Sequence, residues 1–211
     1  MLPPLPPPRL TRLVRCVFGL VLLGVGLGLV VAADLGAAPW DVLHQGLSER
    51  LGITIGTASI GVGIVILLAW IPLREKPGVG TVLNVFVIGA TMDLTLAVVD
   101  RPDPLWVQVA FLVLGVWLWG PGSGLYIGSG LGSGPRDGVM TGLARRGLRV
   151  GRVRSAIEVV ALSVGVLLGG TIGIGTLVFA IGVGPNVAWW LPRLDMRGGA
   201  APRRRLRPAR A

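Results

Sequence analysis

The chain has 211 residues, of which 52% are hydrophobic and only 14% charged, yet its formal net charge is +10. A soluble fold of this length cannot keep so much apolar surface from water, so the composition points to a bilayer as solvent. A single Cys (Cys16) and a single His (His44) exclude an internal disulfide framework and a His- or Cys-based metal set.

Residues 1–12 open with a Pro-rich run, MLPPLPPP, which reads as an extended cytoplasmic segment. Six stretches then have the apolar length for a crossing helix, about 20 residues. The first, 13–33, is longer than the core of a signal peptide and has a counterpart later in the chain, so it is read as a retained helix. It is followed by ADLGAAPWD (33–41), where Pro39 suits a first helical position and Asp41 a first turn. In the helix expected there, Trp40, Leu43, Leu47 and Leu51 share one face, and lone His44 is read as a surface residue. The second stretch, 57–73, ends at Pro72 and the charges Arg74, Glu75 and Lys76. The third, 80–99, contains Asn84 and Asp93; the fourth, 105–129, is expected to kink at Gly120-Pro121-Gly122. After SGLGSGPRD (129–137), the fifth stretch, 153–169, carries Glu158 one turn beyond Arg154, and the sixth, 173–191, carries Asn186. Residues 193–211 hold seven Arg and read as a disordered cytoplasmic tail attracted to anionic lipid headgroups. No aromatics are interleaved with these Arg, so nucleic acid is not an expected partner.

With a cytoplasmic N-terminus and all six stretches crossing, 18 of the 20 basic residues fall on the cytoplasmic side, leaving Arg50 and Arg101 outside. That is the positive-inside pattern of a multi-pass protein with both termini cytoplasmic. Trp40 and Trp106 then belong at the outer interface, and Trp70, Trp189 and Trp190 at the inner one. Trp117 and Trp119 read as packing or lipid-facing residues.

The two LGxxPxD segments mark an internal repeat at an offset of 96, which matches Leu35, Gly36, Pro39 and Asp41 with Leu131, Gly132, Pro135 and Asp137. After one deletion, an offset of 95 matches Gly78-Val79-Gly80-Thr81 with Gly173-Ile174-Gly175-Thr176 and Gly89 with Gly184. The expected fold is therefore all-α, with six transmembrane helices as two inverted three-helix repeats, 13–99 and 100–192. An odd number of spans turns the second copy over, a construction common in secondary transporters.

Candidate sites follow from this repeat. Pro39, Asp41, Pro135, Arg136 and Asp137 read either as plain helix starts or as substrate-binding polar sites lining a cavity, one on each side of the membrane, where Arg136 beside free N–H groups could hold an anion. Asp93 and Glu158 are intramembrane carboxylates and so ion-coupling candidates. The plain reading of Glu158 is an i,i+4 pair with Arg154. Neither carboxylate has a charged repeat partner: Asp93 aligns with Ala188, and Glu158 with Gly63. Gly24 and Gly28, with Gly120, Gly124 and Gly128, form small-residue ridges along which the first and fourth helices are expected to cross. Asn84 and Asn186 read as bonding between helices, and Cys16 as a small apolar contact.

The segments GLYIGSGLGSGPRDGVMTGL (124–143) and LGAAPWDVLHQGL (35–47) resemble the bacterial YczE/YyaS/YitT-type integral membrane proteins, the YczE branch most of all. The resemblance covers about 13–191 and implies a multi-helix inner-membrane protein with no catalytic residues to carry over. No nucleophile–base set or metal motif is visible, so neither an enzyme nor a cofactor is expected. The expected function is transport of an unidentified small solute; the alternative is a membrane scaffold or regulator acting through a partner. Homo-oligomerisation stays open.

Overall fold

The computed structural model describes residues 6–196. Among them the regular elements are all helices: α1 (Arg9–Ala32), α2 (Pro39–Leu51), α3 (Ile55–Leu68), α4 (Trp70–Leu73), α5 (Val79–Val98), α6 (Leu105–Gly128), α7 (Pro135–Ala144), α8 (Val150–Leu168) and α9 (Ile174–Leu194). Five stretches are long and apolar enough to cross a membrane: α1, α3 together with α4, α5, α6 and α9. The sixth expected span forms as α8 but does not join them. Every 18-residue window of α8 holds Arg152, Arg154 and Glu158. Leu94, Val98, Trp106, Leu167 and Ile181 project outward and are exposed, as an exterior solvated by lipid requires.

α1 starts at Arg9, before the expected residue 13, so Arg12 and Arg15 lie inside it. Arg12 donates to the carbonyls of Ser129 (2.7 Å) and Met196 (3.0 Å), and Arg15 to that of Leu194 (2.6 Å). Two of the charges read as orientation signals therefore also satisfy carbonyls at the ends of α6 and α9, where the helix dipole favours cations. The expected Arg-rich tail begins with Arg193, which belongs to the last turn of α9. Residues 197–211, with the expected lipid-headgroup contact, lie outside the described residues.

The centre of the bundle is the antiparallel pair α1 and α6, in close backbone contact where Gly26 meets Gly115 and Gly122 meets Gly19. The expected ridge residues pack helices, but against other partners. Gly24 and Gly28 face Thr91 and Thr95 of α5; Gly120 and Gly124 face Asn186, Trp190 and Leu194 of α9; Gly128 meets Leu194 and Asp195. The four-residue spacing thus builds the α1–α5 and α6–α9 seams, while the central crossing uses glycines seven apart.

Contacts recur in matched pairs. Gly80 N–H donates to Leu131 O (2.9 Å), and Gly175 N–H to Leu35 O (2.7 Å), each residue standing at the repeat equivalent of another. Gly46 packs on Leu168 as Gly142 packs on Leu73. Gly36 and Gly132 have φ of +105° and +143° and lie against Gly173 and Thr81, so the glycine of LGxxPxD meets both a backbone and a packing demand.

Pro121 sits inside α6 and cannot supply the N–H that would bond the Trp117 carbonyl. Asn186 of α9 replaces it, its amide donating to Trp117 O (3.0 Å) and Val116 O (2.7 Å). The expected interhelical role of Asn186 thus has a specific cause, a carbonyl freed by proline.

Candidate functional site

α2 and α7 both begin with Pro at a first helical position and carry Asp in the first turn. The loops before them are held by the starts of α9 and α5. Thr176 donates to Ala37 O (2.8 Å), and Thr81, wholly buried, lies on Gly132. α7 is further fixed by Trp70, whose indole N–H donates to Pro135 O (2.8 Å) and whose ring occupies the space a Cβ on Gly138 would take. Trp70 is therefore an internal docking residue and not a member of an interfacial belt.

Both helix starts open onto one cavity of about 550 Å³. Its lining includes Pro39, Trp40 and Asp41 from one repeat and Pro135, Arg136 and Asp137 from the other, so all five expected substrate-site residues come together. Leu23, Leu27, Trp119, Val183 and Phe179 supply apolar wall, and Ser123, Asn84 and Tyr126 supply polar groups. Trp40, expected at the outer interface, instead stacks under the Arg136 guanidinium, 4.1 Å from its ring centre, and ties the two helix starts together. Burial lowers the Arg136 pKa to about 10, with Asp41 and Asp137 opposing the shift, so it stays a cation at neutral pH.

His44 is wholly buried, not on the surface as expected, because α2 packs along α8. Its Nδ1 lies 3.0 Å from Asp41 Oδ1. Burial depresses the His44 pKa, and the neutral ring donates this bond. Among the described residues, Asp41 Oδ2 and His44 Nε2 have no hydrogen-bond partner. Sequence reading missed this dyad, although the i,i+3 spacing of Asp41 and His44 was its signal.

The two ion-coupling candidates part company. Glu158 lines the cavity and pairs with Arg154 at 2.9 Å, the plain i,i+4 reading. Asp93 does not line it. Its carboxylate accepts from Gly56 N–H (2.7 Å) and Thr54 Oγ1 (2.5 Å), closing the start of α3 onto α5 where Gly56 and Gly89 touch. The junction at the matching sequence positions is open: among the described residues α8 scarcely touches α9, and a Cβ on Gly151 or Gly184 would meet nothing. The cavity extends into that gap, lined by Arg154 and Glu158 on one side and by Val183, Gly184 and Ala188 on the other. Among the described residues, no cluster of His, Cys, Asp and Glu could hold a metal.

A family model described as a family of unknown function (DUF6198) matches residues 10–192. An uncharacterized protein of Haemophilus influenzae is 39% identical over 175 residues, spanning 82% of this chain and 80% of that protein. The uncharacterized membrane protein YczE of Bacillus subtilis is 34% identical over 178 residues, with 83% of each chain covered. The uncharacterized protein YyaS of the same organism is 29% identical over 167 residues, 76% of this chain and 82% of its own. No solved structure matches the chain.

Proposed function

We propose, from the premise that this chain belongs to the DUF6198 family of unknown function and is an integral multi-pass membrane protein, that it carries a small solute across the bacterial inner membrane by alternating access. The observation that carries this reading is the unequal closure of two equivalent junctions around one cavity. The Asp93 clamp seals α3 against α5, and the matching α8–α9 junction stands apart. Two inverted repeats can exchange these roles, which would move access to the cavity from one face to the other. The matched hydrogen bonds of Gly80 and Gly175 support the repeat.

In this reading α8 is the sixth span, and the Arg154 and Glu158 that make it polar face the cavity. Both termini are then cytoplasmic, and the open junction lies on their side. Asp137→Cys and Gly184→Cys, each in a Cys16→Ser background, test the access. A membrane-impermeant maleimide should label both in inside-out vesicles and spare them in right-side-out ones. A cavity sealed from both faces would remove the transport reading and favour a scaffold acting through a partner.

A further inference from the structure

The chemistry of the cavity identifies what it holds. Asp41 is bound to His44 through Oδ1, and its Oδ2 is buried. Glu158 is paired with Arg154, and the Asp137 carboxylate lies beside Gly134 at the start of its own helix, where the Arg136 charge also acts on it. Arg136 is different. Among the described residues it makes no hydrogen bond and no ion pair; its guanidinium carbon lies over the Trp40 ring, and Asp41, Asp137 and Glu158 act on its charge from a distance. Stacking uses the face of the guanidinium and leaves its N–H edges free, the geometry that receives a carboxylate or phosphate in bidentate fashion. The positive ends of α2 and α7 meet at the same place.

We infer that the solute is a small organic anion whose acidic group is held by the free edge of Arg136, with its carbon body against Trp119, Phe179 and Leu27. This rests on reading the cavity as a solute site. The volume of about 550 Å³ suits a small metabolite.

The test is thermal stabilisation of the purified protein by four probes of one shape: benzoate, phenylphosphonate, benzamide and benzylammonium. Benzoate or phenylphosphonate should raise the melting temperature, and the amide and ammonium should not. Arg136→Gln should weaken the anion by about tenfold or more, and Arg136→Lys by less. Arg154→Gln should leave anion affinity within about twofold. If Arg136→Gln does not fold, Trp40→Leu serves in its place, since it frees the guanidinium from its stack and should weaken the anion several-fold.

Stabilisation by benzylammonium, anion binding that survives Arg136→Gln, or no response to either anion would overturn the assignment. So would stabilisation by a short-chain anionic phospholipid without either small anion, which would make the ligand a lipid headgroup. The outcomes separate from those of the transport reading. Anion binding in a cavity that never changes access would keep the site and drop transport; switching access without anion binding would do the reverse.

Discussion

Gly26→Leu and Gly19→Leu should each abolish the folded protein, whereas Gly61→Leu should fold and melt close to the parent. At Gly26 an added Cβ would press on the Gly115 carbonyl, and at Gly19 on the Gly122 carbonyl and the Tyr126 amide, so α1 and α6 must separate to admit any side chain. Overpacking that neighbours can relieve costs about 1–3 kcal/mol, and backbone against backbone leaves no such relief. Close approach through small residues is also what holds helices together in lipid, where apolar burial offers little preference. Gly61 faces open space, and there a side chain even removes the helix cost of glycine, about 0.5–1 kcal/mol. Gly28 lies between these cases, because its added Cβ would meet only the side chain of Thr95. The order of damage, Gly26 and Gly19 first, Gly28 next and Gly61 last, is read by size-exclusion chromatography and thermal melts in detergent. Equal melts for Gly26→Leu and Gly61→Leu would refute the central crossing.

Asp93→Ala should loosen one end of the bundle without unfolding the rest. The substitution strips the Gly56 N–H and the Thr54 hydroxyl of their common acceptor and removes a negative charge from the start of α3. An amide left without its partner costs about 1–3 kcal/mol, so hydrogen exchange at Gly56 and its neighbours should quicken by roughly tenfold or more. Amides of the α1–α6 crossing should keep their protection. Asp93→Asn retains one acceptor oxygen and should show a smaller change. Uniform loss of protection would mean that Asp93 holds the whole fold; no change at Gly56 would mean that it holds nothing.

The family resemblance and the correspondence of the two LGxxPxD segments were legible in the residues, because Gly, Pro and Asp at matched positions reflect local backbone needs; that both open onto one cavity was not, since they read as one site per side of the membrane. The helix boundaries were legible to within a few residues for the same reason, apolar length being a local property. What the chain did not disclose were partners in space. A ridge of Gly24 and Gly28 says that something approaches closely, but not whether it is α5 or α6. His44 looked superficial because the polar composition of α2 suits water, and only its packing on α8 buries it. Trp40 and Trp70 followed the interfacial habit of Trp in composition, yet each docks on a residue of the opposite repeat, Arg136 and Gly138. The open junction had a trace in the sequence: Asp93 aligns with Ala188, so one repeat owns a clamp the other lacks.

Paired cysteines test the alternating-access claim most directly. Ideal Cβ geometry places Gly63 3.5 Å from the Cβ of Val85, within the range a disulfide accepts. Their repeat equivalents are Glu158 and Ala180, which line the cavity from α8 and α9. In a Cys16→Ser background reconstituted in lipid, Gly63→Cys/Val85→Cys should cross-link on oxidation, as the closed α3–α5 junction dictates. Glu158→Cys/Ala180→Cys should cross-link as well, more slowly, by trapping the conformation in which α8 closes on α9. Cross-linking of the first pair with none of the second would contradict the account.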